Sequence, residues 1–259
     1  MNYGYAVGAS GVLAAMHRQD VAANNLANVT TTGFKVDWGS TVPREAARVE
    51  DGLYNLPSNK LLEHLGAGVL LAPTRTVFGQ GEIEQTGKPL DVAIRGDGFL
   101  AVGGDGSGGD AGVRYTRDGR MTLDPRGMLV SVTDGSPVLD AQNNTIHLNP
   151  GQKITIDGDG AIRQGGREVA RLGFVDFADR AALRKAGASR FELAPGAQGS
   201  RTAATGSIVQ EAIEGSAVDP ISAMMAVQNA ANAVSASLRM MSMHDELTGR
   251  AISQLGRVV

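Results

Sequence analysis

Aspartates dominate the residues of this chain that could do chemistry. Asp91, Asp97, Asp118 and Asp124 follow one another closely enough to offer paired carboxylates for general acid–base work. Three of the four adjoin glycine or proline, where an Asp side chain accepts from nearby backbone and shapes a turn. "DGDG" at Asp157 to Gly160 opens like a calcium-binding loop but lacks a third acidic ligand and the closing glutamate, so a hairpin turn is expected. "GGDGSGGD", beginning at Gly103, resembles one unit of a glycine-rich calcium repeat; such sites need stacked copies, and a mobile hairpin loop is expected instead. The four histidines, His17, His64, His147 and His244, are scattered, with no pair at helical spacing. No nucleophile elbow or P-loop is present, and the absence of cysteine excludes a thiol nucleophile, a Cys–zinc site and a disulfide scaffold. The expectation is therefore no catalytic residue, no metal site, no cofactor and no enzyme.

The asparagines of "AANNLANVTTTGFK" (Ala22 to Lys35) pose a different question. Asn side chains bond local backbone and tolerate left-handed geometry, so Asn24, Asn25 and Asn28 can end a helix. Gly33 permits an otherwise forbidden backbone angle, and Phe34 can anchor the exit. Together with Thr32 these residues are expected to form a joint of one defined angle.

The elements that must position this joint differ along the chain. From Tyr5 to Leu26, apolar or small residues recur at Tyr5, Ala9, Val12, Met16, Ala23 and Leu26, a heptad-like stripe on a helix. Gly8 and Gly11 each weaken that helix by about 1 kcal/mol, so it needs a partner. A second helix is expected to start at Asp219–Pro220, with Met224, Val227, Ala231, Val234, Leu238 and Met241 at coiled-coil spacing and a resumption at Ile252 after Asp245 and Thr248 interrupt. Between them the period becomes two. Leu90, Val92 and Ile94 share one face, "KITIDGDGAIRQ" reads as a hairpin, and "VRYTRDGRMTLDPRGMLVSVTDGSPVL" reads as strands joined by tight turns. One helix is expected at Asp179 to Ala186, and a loop or extended arm at Ser40 to Glu63.

The reading is an α+β protein: N- and C-terminal helices pair as a coiled-coil layer beside a central, mostly antiparallel β-domain. The expected divisions are 1–36 with 217–259 as a helical assembly domain, 37–69 as an arm or linker, and 70–216 as the β-rich part. Net charge is −3 with mixed signs, so nucleic acid is not an expected partner. No run is apolar enough to insert in a membrane, and the N-terminus lacks the basic start of a secretory signal peptide.

"ANNLANVTTTGFK" is very similar to the N-terminal signature of the bacterial flagellar axial proteins, the rod and hook subunits of the basal body. The resemblance continues in "QTGKPLDVAIRGDGFLAV" and "YTRDGRMTLDPRGMLVSVTDGSPV", and returns in "EAIEGSAVDPI" before the last helix. These blocks keep the family's order over most of the chain. The family's usual Leu-Glu-x-Ser-Asn-Val is here Ile213 to Val218, with Ile213 and Ala217 departing; its Arg-aromatic-Glu is replaced by "QNAANAVSAS".

The resemblance implies a structural subunit of the basal-body rod that polymerises in a helical tube and transmits torque from motor to hook. It implies passage through the flagellar export apparatus without signal cleavage, and a rod that crosses the periplasm. Implied partners are copies of itself, neighbouring rod and hook proteins, the export apparatus and surrounding rings. A length of 259 favours rod over hook, and "GDGFLAV" leans to the proximal rod type over the distal. Assembly contacts are then expected at Val12, Met16, Leu26, Met224, Val227, Val234, Leu238 and Met241. The competing reading is a secreted β-domain adhesin with helical tails.

Overall fold

The structure, a computed structural model, describes residues 3–50, 52, 57, 66–104, 112–194 and 201–255. It divides into two compact units, one of Met1–Ala27, Asp37–Arg75 and Pro220–Val259, the other of Asn28–Val36 and Thr76–Asp219. Much of "GGDGSGGD" and of the Ser40 to Glu63 segment lies outside the described residues.

The first unit holds two long helices, α1 (Tyr3–Ala27) and α2 (Pro220–Leu255), packed along each other. The α1 face turned inward is built from small residues. Ala15 and Ala22 are buried, one and two heptads beyond Gly8. A methyl group on Gly8 would lie 2.8 Å from Met241 Cγ, and one on Gly4 would lie 2.5 Å from His244 Cε1. Two helices approach this closely only where one lacks side chains, so Gly8, which weakens α1 in isolation, lets it pair together with Gly4, whereas Gly11 meets nothing within 4 Å.

On α2, Ala223 and Ala230 are buried and Val227, Val234 and Met241 half-buried, so the inward face keeps these last three of the expected stripe but takes Ala223 and Ala230 in place of the exposed Met224 and Leu238. Asp245 and Thr248 interrupt the apolar stripe but not the helix, which runs unbroken to Leu255; Thr248 Oγ1 donates back to the His244 carbonyl at 2.8 Å, a local bond a helix accommodates.

A ribbon of Thr41–Pro43 paired antiparallel with Val69–Leu71 completes this unit, preceding a helical turn at Ala47–Glu50 in the 40–63 segment. Ser10 Oγ ties α1 to it by accepting from Val69 N–H at 3.2 Å while donating to the Val7 carbonyl.

The second unit is antiparallel β throughout its described sheets. Its main sheet orders six strands as 183–185, 190–193, 113–116, 99–103, 174–177 and 201–203. Strand Phe99–Gly103 shows the period-two pattern on both faces. Phe99 and Ala101 join a cluster with Tyr115, Phe177, Leu183 and Phe191, while Leu100 and Val102 join a larger aliphatic cluster with Val92, Ile94 and Ile162. Each buried Val, Leu, Ile or Phe side chain here contributes about 1.5–3 kcal/mol.

The hairpin expected around Asp157–Gly158 is present, pairing Ile154–Ile156 with Ala161–Gln164, and a third strand, Arg167–Arg171, extends it. The helix expected at Asp179 to Ala186 is instead one 3-10 turn, Arg180–Ala182, followed by strand Leu183–Lys185. Asp179 caps the turn by accepting from Ala181 N–H, and edge pairing with strand Arg190–Leu193 outweighs the local helical preference of the Ala-rich stretch.

Candidate functional site

The joint is built from the end of α1 outward. Asn25, buried on the last turn, donates from Nδ2 to the Asp37 carbonyl at 2.8 Å and accepts from Asp37 N–H at 2.9 Å. One amide side chain thus satisfies both backbone groups of one residue, as a neighbouring strand would. Asn24 lies on the exposed side of that turn.

Within the second unit, Asn28 starts two successive turns. Its carbonyl accepts from Thr31 N–H, its Oδ1 accepts from Thr31 Oγ1 at 3.1 Å, and Phe34 N–H then donates to the Thr31 carbonyl. Thr32 is buried between them. Gly33 has φ +67°, and a methyl group there would lie 2.6 Å from the Arg117 carbonyl carbon. Both facts require glycine. Gly33 N–H donates to the Glu214 carbonyl at 2.7 Å, and the Phe34 carbonyl accepts from Ala217 N–H at 3.0 Å. Lys185 Nζ sits 3.8 Å from the centre of the buried Phe34 ring and donates to the Lys35 carbonyl at 2.6 Å.

Behind this backbone pairing lies a cluster of charges. Lys35, Arg117 and Glu214 are buried to 0, 1 and 0% exposure. Lys35 Nζ meets Glu214 Oε1 at 2.6 Å and the Gly79 carbonyl at 2.6 Å. Arg117 Nη1 meets Glu214 Oε2 at 3.4 Å, and Gly81 N–H donates to Oε1 at 2.9 Å. Burial pulls the Lys35 ammonium below its ordinary range, while Glu214 opposes that shift. Arg117 also lies over the Phe99 ring, 5.2 Å to its centre.

The sequence pointed to the glycine and phenylalanine of this site and missed the three charges. Lys35 carried no signal beyond following Phe34, and Glu214 none beyond standing in the block before the last helix.

Three of the four carboxylates weighed for acid–base chemistry are occupied. Asp118 binds Arg120 and Thr133, Asp97 pairs with Arg180, and Asp124 accepts from the N–H groups of Arg126 and Met128 across its turn. Asp157 and Asp159 pair with Arg163 and Arg171. In a surface groove lined by Asp140, Gln142, His147, Glu168 and Arg171, Thr145 Oγ1 lies 3.4 Å from His147 Nε2, and Arg171 is shared by Asp159 and Glu168.

The eight residues expected at assembly contacts divide into two sets. Val12, Leu26, Val227, Val234 and Met241 are half-buried, whereas Met16, Met224 and Leu238 are 48, 64 and 51% exposed. Leu13, Met225, Met240 and Met243 are exposed beside them and were not picked out from the sequence.

Residues 6–35 match a family model described as flagella basal body rod protein, and residues 93–164 match the flagellar hook protein FlgE/F/G D1 domain. The chain is 32% identical to the flagellar basal-body rod protein FlgF of Caulobacter vibrioides over 97% of each chain. It is 30% identical to FlgF of Escherichia coli over 91% of each, and 30% identical to the rod protein FlgG of Buchnera aphidicola subsp. Schizaphis graminum over 71% of each.

Proposed function

This chain belongs to the flagellar basal-body rod protein family, and from that premise we propose that it is a proximal-type rod subunit whose helical unit is completed by copies of itself and by neighbouring axial proteins. The proximal type rests on the several FlgF-named relatives. The observation that carries the assembly reading is the pair of helices. They pack together through Gly8, Ala15 and Ala22, yet leave Leu13, Met16, Met224, Leu238, Met240 and Met243 in water. Large apolar side chains left in water in this number on one helical pair support a protein contact.

Covering it returns about 25 cal/mol per Å². Contacts that repeat head to tail without closing generate a helical filament, which suits a tube that transmits torque. The function is mechanical, with no reaction to catalyse. Export without a cleaved signal, a rod position across the periplasm and contacts with the export apparatus and rings belong to the same proposal.

The test is reassembly of purified protein followed by electron microscopy. Tubular polymers with α1 and α2 innermost support the proposal. A protein that stays monomeric at all concentrations and instead binds a surface ligand through its β-domain supports the adhesin reading and overturns this one.

A further inference from the structure

We infer that Lys35, Arg117 and Glu214 form a charge-dependent closure, in which the Glu214 carboxylate orders the joint as the one counter-ion shared by two cations that cannot be buried without it. The three residues come from distant parts of the chain, with Lys35 and Glu214 separated by 179 positions. Two positive side chains and one negative share a site with almost no solvent access. The neighbouring Arg180 adds a further positive charge, and the carboxylates beside it, Asp176 and Asp97, are both engaged by it.

Before the segment carrying Glu214 arrives, seating Gly33 to Lys35 in its native place would bury Lys35 and Arg117 against each other. Burying like charges without a counter-ion is strongly unfavourable. Once Glu214 arrives, it supplies both the carboxylate and the backbone that closes the turn. Gly33 N–H bonds to its carbonyl, Ala217 N–H bonds to the Phe34 carbonyl, and Gly81 N–H bonds to Oε1.

Lys35 and Glu214 are thus positioning residues. They make ordering of residues 31–36 conditional on the chain being present through residue 217. The consequence for assembly rests on the rod reading: a subunit whose C-terminal part has not arrived presents no finished joint. The closure itself lies within the β-rich unit and is measured on the unassembled protein.

Hydrogen exchange on full-length monomer provides the test. In Glu214→Gln, the amides of 31–36 and 215–218 are expected to exchange roughly a hundredfold faster, while those of strand Phe99–Gly103 keep their protection. In the triple variant Lys35→Met/Arg117→Met/Glu214→Gln, which removes the orphaned cations, protection of 31–36 is expected to return to within about threefold of wild type, because apolar replacements of a buried ion cluster are tolerated. Unchanged exchange in Glu214→Gln overturns the inference. So does a triple variant as unprotected as the single one, which would assign the effect to lost hydrogen-bond geometry. Should Glu214→Gln unfold the whole unit, the far-ultraviolet circular dichroism of single and triple variants decides: refolding by the two added methionines supports the closure, and its absence refutes it. Failure to polymerise bears only on the rod reading.

Discussion

Asn25 holds both backbone polar groups of Asp37, donating to its carbonyl at 2.8 Å and accepting from its N–H at 2.9 Å, across the segment 28–36 that departs and returns between them. Replacing Asn25 by Asp leaves the acceptor but turns the donor into a second acceptor facing a carbonyl. Asn25→Asp is expected to cost about 1–3 kcal/mol, and Asn25→Ala somewhat less, read as a lower melting temperature and faster exchange at Asp37. Equal stability of all three proteins would refute the clamp.

Gly33 combines a left-handed backbone with contact against the Arg117 peptide. Gly33→Ala is expected to destabilise by roughly 2–4 kcal/mol, the sum of backbone strain and overpacking. Gly87, also left-handed (φ +68°) but facing open space, is the control. Gly87→Ala should cost less than half as much in the same urea titration.

Gly8 admits Met241 to the surface of α1. Gly8→Leu is expected to lose about 1–3 kcal/mol of helix pairing, and Met241→Ala in the same chain to recover part of it. A double-mutant cycle by thermal unfolding measures the coupling, and simple additivity would place the contact elsewhere.

Leu238 is half in water, so Leu238→Asp should alter monomer stability by no more than about 0.5 kcal/mol. Polymer formation and swimming should nevertheless be lost. Leu26 is partly covered, so Leu26→Asp reports on folding and assembly together and is the weaker probe. Normal rods built from the Leu238→Asp protein would remove this face from the interface.

Asp176 titrates below the ordinary carboxylate range. Burial acts to raise it, but the two hydrogen bonds from Arg180, the Phe177 amide and nearby positive charge outweigh burial. A folded-state value below the unfolded one, about 3.9, means that the stabilisation is present above the unfolded value and disappears as pH falls through the folded one. Arg180→Met is therefore expected to be less stable than wild type at pH 7, with the gap narrowing on acidification below about pH 4. A gap that stays constant to pH 2 would show that the pairing contributes nothing.

Periodicity alone determined the layout of this protein. The 3–4 spacing of Met224, Val227, Ala231, Val234, Leu238 and Met241 requires a helix, and the alternation through Val92 and Ile94 requires a strand, because side-chain direction repeats every 3.6 or 2 residues whatever the partner. Gly33 was legible for a similar reason, since few residues tolerate a positive φ. Which side of α1 would turn inward was not legible. A stripe through Tyr5 and Met16 is as apolar as one through Gly8 and Ala15, and only the approach of Met241 and His244 selected the smaller one. The extended strand at Leu183–Lys185 likewise follows from a partner strand and not from local preference. Least legible of all was the meeting of Lys35 with Arg117 and Glu214. Charged residues read as surface in any sequence, and nothing local marks a lysine that will be sealed from water by a carboxylate from the far end of the chain.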